Sequence, residues 1–192
     1  MTAAFVLGSL LVFTAAAVAL MRRRETADAE YHSTLRRSIL LHSDAFAEGG
    51  RMPDAHTFRG EGASPPLAWT GVPPGTKSLV LLVTDEDLPS KSFPLFKIVH
   101  WGLYDIPAAS GSLAQGVTEA DWTAAGISAI RGWGGRRYLP PRPASGNHRY
   151  AFRIYALDAE RLDGGIRSRA ALLRAMQGRI LAYGELNGRC ER

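Results

Sequence analysis

Ser78-Leu79-Val80-Leu81-Leu82-Val83-Thr84, followed at once by Asp85-Glu86-Asp87-Leu88-Pro89, is the stretch on which the fold turns. The run is short and wholly apolar between its hydroxyl residues. Pro73-Pro74-Gly75 precedes it and three consecutive acids follow it. Short apolar runs bounded by turn signals read as buried strands rather than helices. Working outward, residues 96–104 (FKIVHWGLY) form a second β-rich run, closed by Ile106-Pro107. Residues 150–157 (YAFRIYAL) alternate large and small side chains at period two and form a third. Shorter strand signals lie at 67–69 and 39–41. One helix is expected late, over 169–176, with Ser168 as N-cap, Leu172, Leu173 and Met176 on one stripe, and Gly178 as its stop. Strands do not alternate regularly with helices, which excludes a doubly wound parallel sheet. The expected class is therefore all-β dominated, an antiparallel sandwich with a C-terminal helix packed at its edge.

The 192 residues are 46% hydrophobic and 21% charged, enough for one self-sufficient core. A single cysteine, Cys190, excludes a disulfide scaffold and a Cys-rich zinc module. The net charge of +5 comes from 20 Arg against 3 Lys, and no finger, helix-turn-helix or RNP-type motif accompanies it, so no nucleic acid is expected as a partner. Residues 3–20 are eighteen residues without a charge, about 27 Å as a helix, close to the thickness of a hydrocarbon core. Arg22-Arg23-Arg24 follows directly. Arginines are retained on the cytoplasmic side, so the expectation is a membrane anchor over 1–21, a polar juxtamembrane linker over 22–37, and a cytoplasmic body over 38–192. The alternative is a signal peptide cleaved after Ala17-Val18-Ala19, which would leave the body periplasmic or secreted.

The long connections at 51–66 and 111–147 are where function is expected, because connections of that length in a compact body are seldom passive. The chemistry-bearing residues are Asp85-x-Asp87-x-Pro89, His100-Trp101 and His148-Arg149-Tyr150, each at or beside an expected strand end and so able to converge on one cleft. Alternative readings fit less well. Asp-x-Asp lacks the glycine and closing Glu of a calcium loop. Gly132-Trp133-Gly134-Gly135 lacks the Lys of a P-loop. Ser64 precedes Pro65-Pro66 rather than sitting on a nucleophile elbow, so a Ser/His hydrolase is the weakest functional reading. Asp85, His100 and His148 are chemically acceptable as three metal ligands, though nothing in their spacing requires a metal, and no cofactor is expected.

Ser64-Pro65-Pro66-Leu67-x-Trp69, Gly71-x-Pro73, Lys77-Ser78, the Asp-x-Asp-x-Pro element, His100-Trp101, Pro140-Pro141, His148-Arg149-Tyr150 and Tyr155-Ala156-Leu157-Asp158 occur in the order of the phosphatidylethanolamine-binding protein family. The chain resembles its bacterial, Raf-kinase-inhibitor-like branch over about 39–192. The resemblance implies a Greek-key β-sandwich with a small pocket for anions, phosphate esters or phosphorylated headgroups. It places Asp85, His100 and His148 in that pocket, Asp87 and Pro89 at its entrance, and Tyr138, Pro140 and Pro141 on its wall, with a cis peptide expected at Pro141. It implies a ligand-binding or regulatory role without catalytic residues, with inhibition of a kinase or protease as the second reading. Where the family has a Tyr and Gly-Pro, this chain carries Trp133 to Tyr138 with Arg136-Arg137 inserted, which alters the pocket rim. Two imidazoles can each donate N–H to a phosphate oxygen, and a carboxylate beside them would orient a ring rather than bind the anion.

Overall fold

The computed structural model describes residues 16–23, 25–26, 29–162 and 164–192. Among them are eight strands, β1 (Leu40–His42), β2 (Leu67–Thr70), β3 (Ser78–Ser90), β4 (Phe93–Pro107), β5 (Ser112–Leu113), β6 (Ser128–Ala129), β7 (Asn147–Leu157) and β8 (Ile180–Glu191). Five form a sheet in the order β6-β4-β3-β7-β8 and three form a smaller one in the order β1-β2-β5, with every paired neighbour antiparallel. After the β3–β4 hairpin the chain visits β5 and β6, then returns past the hairpin to lay β7 beside β3. That return is a Greek-key connection.

The continuous apolar run of β3 is explained by cover on both faces. Leu79, Leu81 and Val83 join Leu41, Leu67 and Trp69 of the small sheet, together with Phe152 and Ile154. Val80 and Leu82 turn the other way and meet Tyr155, Leu157, Leu172 and Met176. The helix Arg169–Met176 thus lies across the outer face of the large sheet, not at an edge as expected, because Val80 and Leu82 leave an apolar surface there that Leu172 and Met176 fill. Ser168 Oγ caps it by accepting from Ala171 N–H.

Other expectations are corrected. The acids do not end β3; Asp85, Glu86 and Asp87 are all buried within it. His100 and Trp101 lie inside β4 rather than at its end. The connection 111–147 is not one loop but contains β5, the short helix Glu119–Ala124 and β6. The cis peptide lies at Leu88–Pro89, where the β3–β4 register shifts, and is the only one among the described residues, so Pro141 follows a trans bond.

Among the described residues no helix is long and apolar enough to cross a membrane. The expected anchor falls largely on residues 1–15, outside the described residues. Residues 16–23, 25–26 and 29–34 are helical, and the segment expected as a linker is laid against the body. His32 Nε2 and the Tyr155 hydroxyl are 2.6 Å apart, and Leu35 packs on the outer core. Tyr183 N–H donates to Arg36 O and Ile39 N–H to Tyr183 O, which ties 36–39 to the edge of β8.

Candidate functional site

Sheet register brings the site together. Asp85 of β3 stands opposite Tyr150 of β7. Side chains on one face of a strand repeat every two residues, so His148 shares the face of Tyr150 and lies diagonal to Asp85. His100 arrives by another device. Val83 pairs with Trp101 and Thr84 with Val99, so His100 is the extra residue of a β-bulge. A bulge re-aims side chains, and here the His100 ring meets Tyr150 edge-on at 4.9 Å between centroids.

Both imidazoles are held through Nδ1. His148 Nδ1–H donates to Asp85, at 2.9 Å from Oδ2 and 3.2 Å from Oδ1. His100 Nδ1–H donates to Leu139 O at 2.8 Å, while Leu139 N–H donates back to His100 O at 2.8 Å. These bonds assign the tautomers: Nε2 of each ring is a lone-pair acceptor when neutral and a donor only as imidazolium. Neither Nε2 has a partner among the described residues. Burial lowers the His100 pKa below the ordinary histidine value, and the Leu139 carbonyl and the Asp85 charge offset this only in part. The Tyr150 hydroxyl is buried beside the Asp85 carboxylate, short of full hydrogen-bonding geometry with any partner. Burial, then the Asp85 charge, raises its pKa far above the usual phenol range, so it remains a protonated donor.

Asp87 works one step further out. Its Oδ2 accepts from Arg149 N–H at 2.9 Å, and its own N–H donates to Asp85 Oδ1 at 3.0 Å. The two acids therefore fasten His148 by its ring and by the backbone just after it. Glu86, between them, faces the opposite side of the sheet. It accepts from Thr84 Oγ1 at 2.5 Å and pairs with Arg153 at 2.8 Å and Lys97 at 3.2 Å. Burial alone would raise the Glu86 carboxyl, but Arg153, Lys97 and these hydrogen bonds outweigh it and hold the pKa at about 2.

The strap 138–141 closes over His100. Tyr138 spends its hydroxyl on His56 O at 2.9 Å and sets its ring against Trp101; Pro141 O accepts from Phe58 N–H. Pro140 lines a cavity of about 560 Å³ beside Ser64, Tyr138 and Arg137, and Arg136 pairs at 3.1 Å with Glu119, another residue of its wall. A second hollow of about 460 Å³ opens between Ser90–Ser92 and Ser145–His148, so His148 borders open space. Of the expected residues, Asp85, His100 and His148 are brought together. Asp87 and the 138–141 strap support them, and Pro89 stands exposed where β3 runs on into the ribbon. Tyr150 entered the sequence pattern as the third residue of His148-Arg149-Tyr150, without a role of its own, and its place on the His148 face is legible as the second residue after that histidine. Among the described residues no three His, Cys, Asp or Glu side chains are arranged to hold a metal ion. Ser64 Oγ is buried without a partner, with no imidazole in place to take its proton.

The family model for phosphatidylethanolamine-binding protein matches residues 42–191, and the chain belongs to this family. A UPF0098 protein of Methanothermobacter thermautotrophicus is 40% identical over 150 residues, spanning 77% of this chain and 95% of the relative. The crystal structure of a phosphatidylethanolamine-binding protein homologue from Chlamydia trachomatis is similar with a TM-score of 0.70 and 35% identity, covering 81% of this chain and 99% of that one. Escherichia coli YbcL, described as a new member of the mammalian PEBP family, has a TM-score of 0.71 and 27% identity over the same shares.

Proposed function

We propose that this chain is a non-enzymatic binding module for a phosphate-bearing or anionic small group, with regulation rather than turnover as its output. The observation that carries the reading is the convergence of two Nδ1-anchored imidazoles and the buried Tyr150 hydroxyl around Asp85, beside a hollow that reaches His148. Asp85 orients His148 by accepting its Nδ1–H. It does not meet the anion unless the ligand also carries an ammonium or hydroxyl group.

The tautomers set the chemistry. A neutral Nε2 offers a lone pair, which repels a phosphate oxygen; an imidazolium offers N–H and positive charge. Anion binding should therefore take up a proton. Tyr150 adds a donor at any pH in the working range, and a phosphorylated amino-alcohol headgroup would satisfy Asp85 as well as the rings.

Membrane attachment is part of the reading. It rests on the apolar run 3–20 followed by Arg22-Arg23-Arg24, with the body on the cytoplasmic side. A protein partner such as a kinase or protease is the second reading, favoured by Trp133, which is 78% exposed on the tight Gly132–Gly135 turn.

The test is calorimetric titration of inorganic phosphate and phosphoethanolamine into wild type and His148→Ala between pH 5 and 8, in buffers of differing ionisation heat. Affinity should fall as pH rises, by up to about tenfold per pH unit where one proton is taken up, and His148→Ala should lose it. A flat response across that range, or unchanged binding by His148→Ala, overturns the reading.

A further inference from the structure

Seven large hydrophobic side chains are exposed among the described residues, and four of them lie on two adjoining segments: Leu20, Met21, Phe93 and Phe96, at 52%, 40%, 39% and 41%. Two come from the N-terminal helical segment and two from the start of β4. Arg22 lies over the Phe93 ring at 4.4 Å and Glu25 pairs with Lys97 at 3.1 Å, which binds the two segments into one surface. Met21 and Phe96 share the wall of a groove of about 830 Å³ that extends to the helix Arg169–Met176. Arg22, Arg23, Lys91 and Arg174 stand exposed around this surface, against one acid, Glu25, which shares Lys97 with the buried Glu86.

Aromatic rings and long apolar side chains ringed by arginine suit the boundary between lipid headgroups and acyl chains, with anionic lipid as the complement. Position argues the same way. The apolar run 3–20 enters the body at Leu20 and Met21, which lie on this face. A run of that composition in a bilayer holds its last residues, Leu20 and Met21, close to the lipid.

We propose that the tip of the β3–β4 ribbon and the N-terminal helical segment form a membrane-contact face that seats Phe93 and Phe96 in an anionic lipid surface. The ribbon tip, Ser90–Ser92, also borders the hollow next to His148. The hollow next to His148 therefore adjoins the ribbon that carries this face. This assignment rests on the membrane-attached reading given above.

The experiment uses the full chain reconstituted into vesicles of phosphatidylcholine with phosphatidylglycerol. Phe93→Cys, Phe96→Cys and Leu40→Cys are each labelled with bimane; Leu40 is exposed on the small sheet, across the sandwich, and Cys190 is buried. Bimane at 93 and 96 should shift to the blue and be quenched several-fold more by nitroxide on the lipid acyl chain than bimane at 40. Quenching should drop when phosphatidylglycerol is omitted. Equal quenching at 93, 96 and 40, or no association of the protein with vesicles, overturns the proposal. Phosphate titration in solution separates the two readings. Phosphate binding that depends on His148 without lipid contact at 93 and 96 leaves the pocket reading standing and removes this face. Lipid contact without phosphate binding does the reverse.

Discussion

Glu86→Gln should destabilise the protein by about 3 kcal/mol at pH 7. The side chain is buried, accepts from Thr84, and carries the charge that answers Arg153 and Lys97. A carboxyl held at about 2 instead of its ordinary 4.5 contributes about 1.4 kcal/mol for each pH unit of that difference. Gln keeps the volume but leaves Arg153 with Glu185 as its remaining counter-charge. Breaking one partner of a buried pair typically costs about 3–5 kcal/mol, so the two routes agree. Because the folded pKa is depressed, the contribution is complete above the unfolded value of 4.5, shrinks as acid is added, and is gone below about 2. At pH 3 the difference between wild type and Glu86→Gln should fall to roughly half its neutral value. Urea unfolding followed by tryptophan fluorescence at pH 7, 5, 4 and 3 gives the four differences directly. A loss under about 1 kcal/mol at pH 7, or one that does not change down to pH 3, would refute the argument that this ion network holds β3 to β4 and β7.

Asp87→Ala removes the acceptor for Arg149 N–H and should cost about 1–3 kcal/mol in urea unfolding. It should also weaken phosphate binding by releasing the segment that carries His148, as calorimetry would show. Leu172→Ala empties part of the outer core under the terminal helix and should cost about 2–5 kcal/mol, read as the shift in unfolding midpoint. Gly184→Ala would drive a β-carbon into the Ile39 carbonyl oxygen. Limited proteolysis should then cut near 36–39 faster than in wild type, with a stability loss of about 1–3 kcal/mol. Tyr150→Phe keeps the ring against His100 but deletes the hydroxyl beside Asp85. It should leave stability unchanged or slightly raised while lowering phosphate affinity several-fold in the same titration.

The strands around the site were legible where apolar runs met turn signals, as at 78–84 and 150–157. The runs ended too early wherever a buried charge continued the strand. Asp85 to Asp87 reads as a turn signal because three acids seldom enter a core. The partners that admit them, Lys97, His148 and Arg153, are distant in sequence and become visible only through the register of β3 with β4 and β7. His100 shows a second limit. Its residue type marked it as a candidate, but the bulge that turns its ring toward Tyr150 has no glycine or proline to announce it. β8 escaped for a composite reason. Gly184, Asn187 and Gly188 weaken its strand signal, and glycine is needed there because Ile39 and Met52 cross against the backbone.

The alternation of the three acids explains why the site and the scaffold can be so close without interfering. Side chains of adjacent strand residues point to opposite faces, so Asp85 and Asp87 reach the His148 side and Glu86 reaches the Arg153 side. A charge on one face is neutralised by groups on that face, and the sheet separates the two sets. Glu86 is fully committed to Thr84, Lys97 and Arg153, which makes its role structural. Asp85 accepts from one imidazole and one backbone N–H, and the Tyr150 hydroxyl lies beside it as a further donor to a carboxylate with about four acceptor sites. The asymmetry gives the acids different roles. The middle one sets how stably β3 is held, and its neighbours set how His148 is presented. It also makes the two kinds of variant separable by experiment. Glu86→Gln should change unfolding far more than phosphate affinity, and Asp85→Asn should do the opposite. An equal effect of both substitutions on both measurements would mean that the two faces of the sheet are not independent, and that the His148 arrangement depends on the ion network behind it.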